Sequence, residues 1–254
     1  MKGVILEAGI SSRLRPLTDT MPKCLLSIGG KTILGRTLDT LIACGIREVL
    51  IVTGYLEDSL KNFVTGHYPG LPVTFITNDV YASTNNIYSL WLAKREVLER
   101  GMLLLDSDII FDVNIIRALQ RSGRENCLAV KTNVRLGDEE IKVAVDEGNR
   151  IRAISKEVPP EKALGESIGI EMFAPRLLES LFAVIDRKIL RDGAENQFYE
   201  AAFQEIIDHG AEIYAVDIGM NRAIEIDTTE DIRVAEKEVV PYLARLGGDR
   251  PGRA

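Results

Sequence analysis

The alternation of short apolar runs with amphipathic segments is the feature of this sequence that most constrains its fold. Four runs have the composition of buried strands: residues 3–6, 48–53, 72–77 and 101–108. Amphipathic segments with apolar residues at helical spacing cover 33–44 and 56–64. Strands that alternate with helices favour a parallel sheet with helices on both faces. We therefore predict an α/β chain with a doubly wound, mostly parallel, Rossmann-like sheet.

The second half of the sequence predicts a smaller hairpin region beside that sheet. Strand-like patterns occupy residues 127–132, 142–146 and 150–155, and a turn at 147–149 joins the last two as a hairpin. The remaining predicted elements are a strand over 167–173, helices over 176–185 and 195–207, and a strand over 212–216. Thr228 is expected to cap a helix that begins near residue 229.

Composition and charge exclude several classes of protein. The chain has 254 residues, 46% of them hydrophobic, which predicts a single domain over residues 1–246. Residues 247–254 are charged and contain glycine and proline, so we expect a flexible tail there. A net charge of −7 argues against a nucleic-acid partner, and no apolar stretch approaches the ~20 residues that span a membrane. Three scattered cysteines indicate reduced thiols in a cytoplasmic protein, and a homodimer is compatible with the sequence.

The loop after the first predicted strand has the composition of a phosphate-binding turn. Its small residues are Ala8, Gly9, Ser11 and Ser12. Small side chains let backbone N–H groups approach phosphate oxygens, and Arg13, Arg15 and Lys23 supply positive charge. The spacing of these residues favours a polyphosphate site over an ordinary strand-to-helix turn with basic residues on its surface.

Carboxylates lie at the ends of two predicted strands. Asp106 and Asp108 end the run at 101–108, and ligands bind at the carboxyl ends of strands in open α/β folds. Their i, i+2 spacing predicts that both side chains point the same way. Glu225 and Asp227 alternate with isoleucines and therefore share one strand face. These acids suit Mg²⁺, although one of the two aspartates could instead cap the following helix.

An asparagine-rich segment precedes the third predicted helix. It begins with Asn78, and either Asn85 or Asn86 is a good N-cap for that helix. One asparagine is enough for a cap, so the second is available to a ligand. Capping and packing remain the structural alternative for both.

Residues 1–31 resemble the opening motif of the nucleotidyltransferases (pyrophosphorylases), which join a nucleoside triphosphate to a phosphorylated acceptor. That motif reads roughly L-x-A-G-x-G-x-R-L-x-P-L-T, followed by P-K-x-L-L and a Gly-Lys pair. The matching residues are Leu6, Ala8, Gly9, Arg13, Leu14, Pro16, Leu17, Thr18, Pro22, Lys23, Leu25, Leu26, Gly30 and Lys31. Two residues depart from it, because Glu7 replaces a small residue and Ser11 replaces a glycine.

Residues 78–90 and the Glu-Ile-Asp of residues 225–227 are similar to the CTP-using branch of this family, the phosphocholine and aminoethylphosphonate cytidylyltransferases. The resemblance implies that Asp108, Glu225 and Asp227 bind Mg²⁺ and that Arg13, Lys23 and Lys156 are catalytic. The predicted nucleotide-binding residues are Leu6, Ala8, Gly9, Ser11, Ser12, Arg13, Lys23, Asn78, Asn85, Asn86 and Asp106. The predicted acceptor-binding residues are Lys142, Lys156, Gly169, Glu195, Tyr199 and Glu200. For Glu195 and Glu200 a structural role is equally expected, because acidic residues in the first turn of a helix interact favourably with the helix dipole.

The expected function is therefore transfer of CMP from CTP to a small acceptor bearing a phosphate or phosphonate, such as 2-aminoethylphosphonate or phosphocholine, with release of pyrophosphate. The acceptor half has no tryptophan for a quaternary-ammonium cage, which weakens phosphocholine. A sugar- or polyol-1-phosphate nucleotidyltransferase, including an inositol-1-phosphate cytidylyltransferase, is one alternative. A nucleotide-sugar glycosyltransferase is a second alternative, which would explain Asp106 and Asp108 but not Arg13 and Lys23. A non-catalytic nucleotide-binding protein is the third alternative.

Overall fold

The central strand of the sheet is β1 (Lys2–Glu7), and all six of its residues are buried. The computed structural model describes residues 1–246, so the predicted tail at 247–254 lies outside the described residues. The other strands are β2 (Ser27–Ile28), β3 (Lys31–Thr32), β4 (Val49–Thr53), β5 (Val73–Thr77), β6 (Met102–Asp106), β7 (Ile109–Phe111), β8 (Cys127–Lys131), β9 (Lys142–Val145), β10 (Ile151–Ser155), β11 (Gly165–Phe173), β12 (Tyr214–Asp217) and β13 (Ala223–Glu225).

Most helices connect strands or cover the faces of the sheet. They are α1 (Ile33–Ala43), α2 (Glu57–His67), α3 (Asn86–Val97), α4 (Val113–Arg121), α5 (Pro175–Leu190), α6 (Glu200–Asp208), α7 (Thr229–Val234) and α8 (Val240–Arg245). A π-helical segment, Ala235–Val239, joins α7 to α8. None of the described helices is both long and apolar enough to cross a lipid bilayer.

The sheet confirms the predicted fold class. In residues 1–246, strands β5, β4, β1 and β6 lie side by side in that order, and each neighbouring pair is parallel. Strand β11 then runs antiparallel to β6 and pairs with both β8 and β9. The predicted hairpin is formed by β9 and β10, which are antiparallel. The parallel half thus carries the opening loop, and the hairpin region lies beyond β11.

Alternating side chains of the central strands enter two different cores. On β6, Met102 and Leu104 pack toward α3, α5 and α6, while Leu103 and Leu105 pack toward α1, α2 and α4. Successive residues of a strand point to opposite faces, so a run that is apolar throughout requires helices on both sides. This arrangement confirms the prediction of a doubly wound sheet.

The sixth helix begins later than the sequence predicts. Residues 195–199 form turns rather than the first turn of a helix, and α6 begins at Glu200. Tertiary hydrogen bonds hold this segment, because Asn85 N donates to Glu195 O at 2.9 Å and Tyr199 N donates to Asn86 Oδ1 at 2.8 Å. These residues therefore contact the N-terminus of α3 instead of forming the first turn of α6.

Phe203 on α6 is fully buried between the rings of Phe173 and Tyr199, at centroid distances of 5.1 and 5.0 Å. We predict that Phe203→Ala lowers the free energy of unfolding by about 3–5 kcal/mol, because it leaves a cavity in the core. Phe198→Ala is the control, since Phe198 is 46% exposed, and it should cost much less. Urea unfolding checks both variants, and equal losses would contradict this account of the core.

Candidate functional site

A cavity of about 510 Å³ opens at the carboxyl ends of the parallel strands. Glu7, the last residue of β1, and Asp106, the last residue of β6, both line it. The N-terminus of α3 and the strand β11 form further parts of its wall. Ligands of open α/β sheets bind at this edge, so the position agrees with the sequence-based prediction.

The opening loop forms one wall of the cavity. Its predicted residues that line the cavity are Leu6, Ala8, Gly9, Ser11, Arg13 and Lys23, whereas Ser12 is exposed outside it. Ser11 has a φ of 51°, a left-handed conformation that the glycine expected at this position adopts more readily. Thr18 Oγ1 donates a hydrogen bond to Ser11 O at 3.0 Å, which helps to hold the turn.

Three acids from two distant parts of the chain meet at the cavity. Strand β13 pairs antiparallel with β7, so Glu225 lies opposite Ile109. Ile226 N also donates to Asp108 O at 3.0 Å. As a result, one carboxylate oxygen each of Asp108, Glu225 and Asp227 lies within 4.8 Å of the others. Three carboxylates suit a hard cation such as Mg²⁺, and Asp108 Oδ1 is buried with no hydrogen-bond partner among the described residues.

Two cations from the opening loop contact these acids. Lys23 Nζ lies 2.6 Å from Asp108 Oδ2 and 2.9 Å from Asp227 Oδ1. Arg13 Nη2 lies 2.7 Å from Asp227 Oδ2. Burial alone would lower the pKa of Lys23, but the nearby carboxylates of Asp108 and Asp227 raise it above its ordinary value. The structure therefore brings the basic loop and the acidic strand ends into one cluster of charges.

The acids of the cavity differ in their tendency to ionise. Partial desolvation by its neighbours, together with the charges of Asp108 and Asp227, raises the pKa of Glu225 above its ordinary value, although the residue is exposed. Burial would also raise the pKa of Asp227, but hydrogen bonding to Lys23 and the charge of Arg13 hold it below its ordinary value. Removal from water penalises the charged carboxylate, so a cation placed among these acids would favour their ionised forms.

Asp106 does not belong to the group formed by Asp108, Glu225 and Asp227. Asp106 and Asp108 both line the cavity, but they contact different groups, because β6 ends at Asp106 and a turn follows. The Tyr199 hydroxyl lies 3.2 Å from both carboxylate oxygens of Asp106 and donates to them. Gly169 has a φ of 68°, and a Cβ atom there would lie 2.4 Å from Asp106 Oδ2, so this position of Asp106 requires glycine.

The predicted asparagines all line the cavity, and each has a structural partner. Asn85 is the N-cap of α3, as predicted, and its side chain accepts a hydrogen bond from Asn86 N at 2.8 Å. Asn86 Oδ1 accepts from Tyr199 N, so the asparagine that a cap does not require tethers the segment before α6. Asn78 is buried, and its Nδ2 donates to Thr84 Oγ1 and Ser89 Oγ.

The structure separates the predicted acceptor residues into two groups. Lys156, Gly169 and Glu200 line the cavity. Lys156 Nζ lies 2.9 Å from Glu139 Oε2 and 5.3 Å from the centroid of the Phe198 ring. Tyr199 is buried behind the wall, where it contacts Asp106.

Lys142 and Glu195 do not line the cavity, which corrects the prediction that both contact the acceptor. Lys142 is buried, and its Nζ donates to the backbone oxygens of Gly137 and Glu140, so its charge holds a loop instead. Glu195 contributes its backbone oxygen to Asn85 N.

The sequence singled out Glu7 but did not assign it a role, and it did not single out Glu139 or Glu171. Burial and the charge of Asp108 raise the pKa of Glu7 to about 7, although hydrogen bonds to Ser107 and Cys24 oppose this shift. Glu7 and Glu171 could be recognised in the sequence because each is an acidic residue within a run that is otherwise apolar. Glu139 lies in a polar loop and offers no such signal.

We predict that Glu7→Gln stabilises the protein in a pH-dependent way. The ordinary pKa is 4.5 and the folded value is about 7, so the unfolded chain ionises first as pH rises. The folded protein therefore loses stability between about pH 4.5 and pH 7, and glutamine removes that loss. The variant should match the wild type near pH 4 and be more stable by about 3 kcal/mol at pH 8.

Urea unfolding at both pH values measures this difference. Glu147→Gln, at an exposed position of the hairpin turn, is the control and should show no pH-dependent gain. A gain for Glu7→Gln that is as large at pH 4 as at pH 8 would contradict a buried ionisable Glu7.

Known proteins resemble this chain over nearly its whole length. A CMP-5'-(3-aminopropyl)phosphonate synthase of Streptomyces rubellomurinus is 27% identical over 95% of the chain, but the chain spans only 39% of that relative. A CTP:phosphoglutamine cytidylyltransferase of Campylobacter jejuni is 26% identical over 92% of the chain and 98% of the relative. The structure of the CTP:phosphocholine cytidylyltransferase of Streptococcus pneumoniae superposes with a TM-score of 0.77 at 24% identity, covering 94% of this chain and 98% of that one.

The model of the MobA-like NTP transferase domain matches residues 3–253. This match agrees with the position of the cavity and with the cluster of basic and acidic side chains in its wall. The resemblance to nucleotidyltransferases that residues 1–31 indicate is thereby confirmed. The chain belongs to the MobA-like NTP transferase family.

Proposed function

We propose that this protein is a cytidylyltransferase that transfers CMP from CTP to a small acceptor bearing a phosphate or phosphonate and releases pyrophosphate. The observation that carries the proposal is the contact of Lys23 with Asp108 and Asp227 inside the large cavity. Two of the similar proteins are named for CTP or for a CMP-linked product, and these names support cytidine as the base. Residues 1–246 act in this proposal as one catalytic domain.

The opening loop binds the triphosphate. Backbone N–H groups around Ala8, Gly9 and Ser11 approach phosphate oxygens, because these side chains are small and line the cavity. Arg13 and Lys23 contribute positive charge on the same wall. Both are held by Asp227 in the protein alone, so they are already positioned when the nucleotide enters.

Asp108, Glu225 and Asp227 hold Mg²⁺. Their oxygens lie close enough to share one ion, and the partnerless Asp108 Oδ1 is available as a ligand atom. When bound, Mg²⁺ neutralises negative charge on the phosphates during transfer. Lys23 compensates the same acids from the other side, which limits repulsion among three neighbouring carboxylates.

The transfer step needs no general base. An oxygen of the acceptor phosphate or phosphonate attacks the α-phosphorus of CTP, the bond from that phosphorus to the oxygen bridging to the β-phosphate breaks, and pyrophosphate leaves with the electron pair. A phosphate monoester has a second pKa near 6, so the attacking oxygen is already largely ionised at neutral pH. Lys156, which lines the cavity, orients this oxygen. Catalysis then comes from alignment and from stabilisation of developing charge.

A sugar- or polyol-1-phosphate nucleotidyltransferase would use the same charged cluster with another acceptor. A screen that measures pyrophosphate release separates these functions, with CTP, UTP, dTTP and GTP each paired with 2-aminoethylphosphonate, phosphocholine, inositol 1-phosphate and glucose 1-phosphate. We expect release with CTP and an acceptor containing nitrogen. Absence of release with every pair would contradict the proposal and leave a nucleotide-binding protein.

Asp108→Asn should lower kcat by at least about 100-fold, because loss of one preorganised charge interaction at the reacting phosphates commonly has that effect. The variant should remain folded by circular dichroism, since Asp108 lies in a turn at the cavity. Asp58→Asn, at an exposed position of α2, is the matched control and should keep wild-type turnover. Wild-type-like turnover of Asp108→Asn would remove the metal assignment.

Mg²⁺ should also stabilise the protein without any substrate, because an ion that binds only the folded state raises its melting temperature. Thermal unfolding with EDTA and with increasing Mg²⁺ measures this effect. The rise should occur in the wild type and in Asp58→Asn but not in Asp108→Asn. An equal rise in all three proteins would place the binding of Mg²⁺ elsewhere.

A further inference from the structure

A second group of buried acids lies at the wall of the cavity, on the face of the sheet covered by α3, α5 and α6. It consists of Asp106 at the end of β6, Glu171 on β11 and Glu200 at the start of α6. The exposed fractions of Glu171 and Glu200 are 1% and 8%. Within residues 1–246, none of the three forms an ion pair, so the protein itself does not neutralise them.

Two oxygens of this group have no protein partner. Glu171 Oε2 and Glu200 Oε2 are buried and accept no hydrogen bond from residues 1–246. Glu200 and Asp106 line the cavity, so a ligand can reach them. A buried polar atom without a partner costs free energy, and that cost is removed when a ligand supplies the missing donor. Burial also raises the pKa of Glu200 to about 7, as expected for a carboxyl without a cation bonded to it.

The cations that line the cavity are bonded to other groups. Arg13 and Lys23 contact Asp227, and Lys23 also contacts Asp108. The charge of Lys156 acts on Glu200, but its Nζ is bonded to Glu139 and lies 5.3 Å from the centroid of the Phe198 ring. The wall formed by Asp106 and Glu200 therefore has no cation bonded to it in the described residues, and Glu200 Oε2 also lacks a hydrogen-bond donor there.

We infer that the acceptor carries a primary ammonium group, which donates hydrogen bonds to Glu200 and Asp106. This inference rests on the proposed function and names the class of its acceptor. The phosphate or phosphonate end of the acceptor lies toward Lys156 and Asp108. Because Asp106 and Asp108 line the same cavity, a short aminoalkyl chain is expected to join the two ends.

The aromatic residues of the cavity favour a primary over a quaternary ammonium. In the described part of the chain, the rings that line the cavity belong to Tyr81 and Phe198. Tyr81 packs against Tyr55 beside the opening loop, at a centroid distance of 6.3 Å. Only the Phe198 ring then remains near Lys156 among the described residues that line the cavity. An aromatic cage for a quaternary ammonium contains more than one ring. Carboxylates instead accept hydrogen bonds, and only an ammonium with N–H groups can donate them.

The test compares 2-aminoethylphosphonate with propylphosphonate, which replaces the ammonium by a methyl group of similar size. With CTP and Mg²⁺, wild-type kcat/KM should be at least about tenfold higher for the amine, since a hydrogen bond to a charged group contributes that much. In Glu200→Gln this preference should fall to about twofold or less through a higher KM for the amine, while the KM for CTP stays constant. Glu179→Gln, at an exposed position of α5, is the matched control and should keep the full preference.

Equal use of the two phosphonates by the wild type, or a preference for inositol 1-phosphate or phosphocholine, would overturn the inference while leaving the proposed function intact. A preference for the amine that persists in Glu200→Gln would remove Glu200 from the site. If no acceptor releases pyrophosphate, the proposed function fails, and calorimetric titration of both phosphonates into the wild type decides the inference separately. If Glu200→Gln does not fold, Glu200→Asp replaces it and should keep the preference at a higher KM.

Discussion

The contact of Lys23 with Asp108 and Asp227 is the interaction on which the arrangement of the candidate site depends. It joins the opening loop, the turn after β6 and the end of β13, which are far apart in sequence. The pairing of β13 with β7 serves the same purpose, because it carries Glu225 and Asp227 to Asp108. Three acids so close together would repel one another without a cation. Lys23 and Arg13 provide positive charge from the protein itself, and the proposed Mg²⁺ would add to it.

The turn that follows β6 gives two neighbouring aspartates different surroundings. Asp108 lies with Glu225 and Asp227, whereas Asp106 contacts Tyr199 and lies over Gly169. The end of β6 and the turn after it thereby contribute one aspartate to each of two groups of acids at the same cavity. In the functions that we propose, the first group holds the metal and the second receives the ammonium of the acceptor, so the reacting phosphorus lies between them.

The fold was largely predictable because each apolar run is short, continuous and followed by a helix or a turn. A continuous apolar strand must bury both of its faces, and alternate residues of β6 do pack against helices on opposite sides of the sheet. The opening loop was predictable because its small and basic residues match the spacing of a nucleotidyltransferase motif. Orientations set by tertiary contacts were not predictable. Asp106 contacts Tyr199 while Asp108 contacts Lys23, Lys142 is bonded to a loop, and residues 195–199 dock on α3 instead of forming a helix.

Crystallographic analysis of the protein with CTP and Mn²⁺, which scatters anomalously, tests the central claim most directly. The account predicts an anomalous peak at about 2.0–2.2 Å from oxygens of Asp108, Glu225 and Asp227, with the triphosphate against Arg13 and Lys23. A Mn²⁺ ion bound away from these three acids, or a nucleotide bound outside the cavity that they share with Lys23, would contradict it.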